Sequence, residues 1–169
     1  MNAHRQRGMV LLVSLVFLLL ITLIGVSAME NAVLQEKMAG SIKLRNQSFQ
    51  AAEAALRIGE SAVRRPGFSL DRCTTTMACA PPAEALTVFA PGLNPSSGVT
   101  WIAVSGGLYA VQNVAETADP VNIPPPLKGE PPMTWTLYRI TGVGIQGSSR
   151  TVLESVYAAE RRIMWRQIR

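Results

Sequence analysis

Residues 9–29 form an uncharged run broken only by Ser14, Thr22 and Ser27, and the helical pattern does not end where the run does. The next charge is Glu30 and the next proline is Pro66. Leu34, Met38, Ile42, Phe49, Ala52, Leu56 and Val63 recur at steps of three, four or seven, close to the 3.6-residue period of a helix. Lys37, Lys43, Arg45, Glu53, Arg57 and Glu60 fall mostly on other faces. The pattern predicts one helix from residue 9 to about residue 63, apolar in its first half and amphipathic in its second. The stripe is expected to pack on the chain's own sheet. Gly25, Gly40 and Gly59 weaken the helix locally or permit bending and close approach, and Pro66-Gly67 ends it.

Beyond the helix the pattern changes period. Residues 66–98 read as irregular, with Pro81-Pro82, Pro91-Gly92 and Pro95, and a short helical turn is expected within 83–88. Residues 99–105 and 108–115 are rich in β-formers and flank Gly106-Gly107, a hairpin signal. A proline-rich loop, 120–132, cannot supply a central strand. Residues 134–143 and 150–158 form the clearest hairpin, with its turn in 144–149. Alternation puts Trp135, Leu137, Arg139, Thr141 and Val143 on one face of the first strand, and Thr136, Tyr138, Ile140 and Gly142 on the other. The expected fold is α+β: a ladle, with a long N-terminal helix packed on an antiparallel sheet of about four strands. The expected division is a leader (1–8), a membrane or filament-core helix half (9–29), an amphipathic half (30–65) and a globular domain (66–169).

Charge fixes an expected orientation. Arg5 and Arg7 precede the apolar run and no acidic residue does, so the N-terminus belongs in the cytoplasm and residues after about 30 outside. The run is long enough to span a bilayer, and Ser27-Ala28-Met29 makes a poor secretory cleavage site. A plain membrane anchor and a cut on the cytoplasmic side after Gly8 both remain open. Net charge is +5, and +3 without Arg5 and Arg7, too mild to argue for nucleic acid. Four arginines, Arg161, Arg162, Arg166 and Arg169, surround Ile163, Met164 and Trp165 in the tail. They could meet lipid headgroups, an anionic partner or a neighbouring subunit, or simply extend a strand into solvent.

Candidate chemistry is sparse. The sole histidine, His4, lies in the leader, and there is no nucleophile elbow, phosphate loop or calcium loop. No enzyme, cofactor, metal or small-molecule substrate is expected. Cys73 and Cys79 face an oxidising compartment in this orientation and are expected to form a small disulfide loop, with two free thiols as the alternative.

The N-terminus resembles the class III signal of type IV pilins and type II secretion pseudopilins: a short basic leader ending in Gly8, an apolar residue, Met9, at the start of the mature chain, and a long apolar helix. The resemblance implies cleavage after Gly8 by prepilin peptidase and methylation of Met9. It also implies that the apolar helices leave the bilayer to bundle as a filament core. The runs Glu36-Lys37-Met38-Ala39-Gly40, Arg45-Asn46 and Phe49-Gln50-Ala51-Ala52-Glu53-Ala54-Ala55-Leu56 are similar to the PilX group of minor pilins. So are the strands around Tyr138–Gly142 and Arg150–Tyr157. Major pilins carry a glutamate at the fifth mature position, which pairs with a neighbour's N-terminal amine. This chain has Val13 there, with Ser14 as the nearest polar group. The tip pseudopilin of type II secretion lacks that glutamate too.

The resemblance implies a minor pilin that primes type IV pilus assembly and sits at or near the tip, supporting twitching motility and adhesion. Its implied partners are other minor pilins, the major pilin and a large tip adhesin. The loops at 66–98 and 120–132 are candidate contacts with them. Two alternatives stay open: an uncleaved bitopic inner-membrane component of a pilus or secretion apparatus, and a type II secretion pseudopilin.

Overall fold

In a computed structural model the chain is described over residues 6–118, 134–158 and 161–168. Residues 1–5 of the expected leader, the whole proline-rich loop within 119–133, residues 159–160 and residue 169 lie outside this range. Helix α1 runs Gln6–Val63 without interruption. Two compact units share it, residues 1–42 and residues 43–169.

The first unit is helix alone. Every residue from 9 to 42 is exposed, including Leu34, Met38 and Ile42. This corrects the expected stripe. Its first three members are exposed, and its members in a core cluster are Phe49, Ala52, Leu56 and Val63.

The second unit is a six-stranded antiparallel meander: β1 (Gly92–Leu93), β2 (Thr100–Val104), β3 (Gly107–Thr117), β4 (Trp135–Gln146), β5 (Ser149–Ala158) and β6 (Arg161–Gln167), in that spatial order. The two strands beyond the expected four are the short edge β1 and the arginine-rich tail, which pairs along β5 as β6 instead of running into solvent. Both hairpin turns differ from the expected ones. The β2–β3 turn is Ser105-Gly106, with Gly106 at φ 76°, and Gly107 already pairs with Gly144. Strand β4 continues through Gly144 to Gln146, leaving the two-residue turn Gly147-Ser148 with Gly147 at φ 56°.

Gly144 belongs to a strand because the helix needs it there. A Cβ on Gly144 would overlap the Ser48 carbonyl, and one on Gly142 would lie 2.6 Å from the Ala52 carbonyl oxygen. From the helix side, a Cβ on Gly59 would lie 2.6 Å from Ile140 Cγ2 and 2.9 Å from Tyr109 Cδ2. These three glycines bring helix backbone into contact with sheet. Around the seam, Ala52, Leu56, Ile140, Leu153 and Tyr157 form one core cluster, and Ala55, Ala62 and Tyr109 another.

The alternation expected for β4 holds: Tyr138, Ile140 and Gly142 face the helix, while Val143 joins Trp101, Leu108, Ala110 and Val152 on the opposite side. That opposite side is covered as well, by the segment read as irregular. It contains α2 (Thr76–Cys79) and a 3₁₀ turn, η1 (Ala83–Leu86), whose Ala85 enters the core. Thr75 caps α2 by accepting the Ala78 N–H. Arg150 holds the cover down, donating to the Ala85 and Val88 carbonyls and stacking on Phe89 at 4.4 Å. Burial lowers its pKa.

Candidate functional site: an exposed apolar helix half and a braced domain

Residues 9–29 present large apolar side chains on every face. Met9 is 69% exposed and Ile24 70%. The helix is long and apolar enough to cross a membrane, with a mean hydropathy of 3.1 in its most apolar window. A helix greasy all round is stable only in lipid or among other helices. Two of its three hydroxyl residues are reconciled to that setting: Ser14 Oγ donates to the Leu11 carbonyl at 2.9 Å and Thr22 Oγ1 to the Leu19 carbonyl at 2.8 Å, so neither of these hydroxyls needs an outside acceptor. Gly8 and Met9 lie inside α1, and Val13 lies on its exposed surface. Val13 and Ser14 share a shallow apolar groove with Met9, Phe17 and Ile21.

Cys73 and Cys79 form the expected disulfide, with Cα atoms 5.3 Å apart. The loop they close sits on the sheet through polar side chains of β3 and β4. Gln112 Nε2 donates to the Ala78 and Ala80 carbonyls, and Arg139 Nη1 donates to the Cys79 carbonyl at 2.6 Å. Cys73 N–H donates to the Asn113 carbonyl.

The tail arginines answer buried acids. Glu60, read from the periodicity as surface, is 8% exposed; it accepts from Ser155 Oγ at 2.8 Å and from Arg162 at 2.7 and 3.0 Å. Hydrogen bonding to Glu60 raises the Arg162 pKa against the opposing effect of burial. On the other face Glu154, 3% exposed, lies between Arg139 and Arg166 at 3.4 and 3.0 Å. Burial lowers the Arg139 pKa, with Glu154 acting against it and Arg166 with it. Arginine remains charged under either influence. Strand β6 is therefore fastened to α1 through one carboxylate and to β5 through the other.

Sequence reasoning located the apolar half and the disulfide. It missed Glu60, Glu154 and Ser48, which is fully buried and bonded to Thr151 Oγ1 at 2.8 Å. The available signal was pairing by sign: two acids at inward positions against four arginines in one tail. Among the described residues no cluster of His, Cys, Asp and Glu could hold a metal ion.

Residues 7–57 match the family model described as PilX N-terminal. No curated protein and no solved structure matches the chain. The family match lies wholly within α1 and takes in both the exposed apolar half and the segment that packs on the sheet. Over residues 7–57 the chain is thus similar to the N-terminal helix of PilX-type minor pilins, which are components of the type IV pilus.

Proposed function

We propose that this chain is a PilX-type minor pilin that primes assembly of the type IV pilus and stays at or near its tip, supporting twitching motility and adhesion without enzymatic chemistry. The observation that carries the proposal is Val13 on the surface of an apolar helix half with no ionisable group. A carboxylate within the bilayer costs a few kcal/mol and persists only where it is used. A subunit that lacks it has nothing to offer the amine of a subunit already in place, but its own N-terminal amine is free to receive the next one. Such a subunit acts first.

In this reading prepilin peptidase cuts after Gly8 and Met9 becomes the methylated N-terminus. The chain waits in the inner membrane with its N-terminus cytoplasmic and its domain periplasmic, then passes to the cell surface. Other minor pilins, the major pilin and a large tip adhesin are its partners.

The test is piliation. Deleting the gene should abolish or sharply reduce surface pili, wild-type protein should restore them, and immunogold label should fall at pilus ends. Val13→Glu should redistribute label along the shaft or lower pilus number. Normal piliation in the deletion strain, or a Val13→Glu strain unchanged in every respect, contradicts priming.

A further inference from the structure

A cleft opens on the edge of β3 where its neighbouring strand departs. Strand β2 pairs with β3 only from Val104↔Gly107 to Ile102↔Tyr109; Trp101 and Thr100 have no β3 partner in the ladder and pair on their other edge with Gly92 and Leu93 of β1. Further along the same edge the chain returns, with Arg72 bridged to Asn113 and the Cys73 N–H bonded to the Asn113 carbonyl. Between these two pairings lies Val111, which has no strand partner on that edge among the described residues. Its parity matches Tyr109 and Asn113, so its N–H and C=O point into the gap. The gap is a cleft of about 320 Å³, lined among others by Leu70, Asp71, Val99, Thr100 and Val111. Asn113, 7% exposed, also lines it. Its amide donates to the Leu70 carbonyl, while Oδ1 is buried without a hydrogen-bond partner.

The geometry points to a binding site for a small, neutral molecule carrying a secondary amide. A backbone N–H and C=O pair on an open strand edge is matched by one amide, which supplies an acceptor and a donor at strand spacing. The gap holds one residue of β3, so it admits a single amide unit and not a running strand. No lysine or arginine is among the described residues that line it, and Asp71 is its one carboxylate, which disfavours anions. Leu70, Val99 and Val111 give an apolar wall for the amide's acyl group, and Asp71 and Thr100 at the exposed rim suit hydroxyls or further N–H donors.

An acylated amino sugar and a capped amino acid share this chemistry. The test uses the ¹⁵N-labelled full chain in detergent micelles, titrated separately with N-acetylglucosamine, N-acetylalanine N-methylamide and glucose, each to about 10 mM, above the weak affinity expected of so small a contact. The expected result is a saturable shift of the Val111 amide resonance, with saturation transfer to the acetyl methyl, for one or both amides and not for glucose. Whichever amide binds identifies the source. Thr100→Trp, which fills the mouth of the cleft, should weaken binding at least tenfold; if that variant does not give a folded spectrum, Ala78→Leu fills the same cleft from its other wall. Equal binding of glucose, no shift for either amide, or unweakened binding to a folded filled variant overturns the assignment.

Discussion

Gly144 shows how much one hydrogen atom decides. It looked like a turn residue beside Gln146 and Gly147, yet it is mid-strand, because the helix backbone at Ser48 occupies the space a side chain would fill. Gly144→Ala should therefore cost about 2–4 kcal/mol, as overpacking against backbone cannot relax cheaply. Thermal unfolding of the full chain in micelles checks this. Gly40→Ala, at a helix position with nothing within 4 Å, should cause no loss. Glu60 makes the complementary point. Glu60→Ala strands Arg162 and Ser155, and with the arginine side chain 29% exposed the expected loss is about 1–3 kcal/mol. A double-mutant cycle with Arg162→Ala should return a coupling of about 1 kcal/mol or more; additivity would mean the pair does not hold β6. Neither role was legible from local sequence. Helical periodicity assigns a face, but a charged residue joins the buried face only if a partner of opposite sign arrives from elsewhere, here from a tail about a hundred positions away.

Elements were legible where one period ruled them. Helix α1, the β2–β3 and β4–β5 hairpins and the two faces of β4 follow directly from apolar spacing. The tail was not, because β6 hides no side chain completely: its burial is intermediate at Arg162 and Ile163 and exposed elsewhere. Strand β6 is held by edge pairing and by two ion pairs, not by burial. Removing residues 161–169 should therefore lower the melting temperature more than Glu60→Ala does, since it leaves both Glu60 and Glu154 facing an open edge. A melting temperature equal to that of Glu60→Ala would show that the Glu154 side contributes nothing. The cover of the second sheet face was also hidden, because proline-rich sequence suppresses periodicity without preventing docking. Its docking depends on Gln112, Arg139 and Arg150 reaching backbone carbonyls. The disulfide closes a short loop, so Cys73→Ser with Cys79→Ser should cost about 2 kcal/mol in the chain-entropy account. The expected sign is a lower melting temperature, with the loop more exposed to protease.

At the scale of the molecule, two kinds of surface divide the labour. Residues 9–42 bury almost nothing of their own and need lipid or sister helices, whereas the described part of residues 43–169 satisfies itself through a glycine-lined helix–sheet seam, a covered second face and braced acids. That division fits a subunit that lives first in a membrane and then in an assembly, with the apolar half exchanging one greasy environment for another. The account turns on the chain entering the pilin pathway at Gly8 and Met9. The direct measurement is the mass and N-terminal residue of the protein from cells with and without prepilin peptidase. A chain beginning at N-methylated Met9 only when the peptidase is present is the predicted result; an intact Met1 in both strains would contradict it and leave a static membrane anchor.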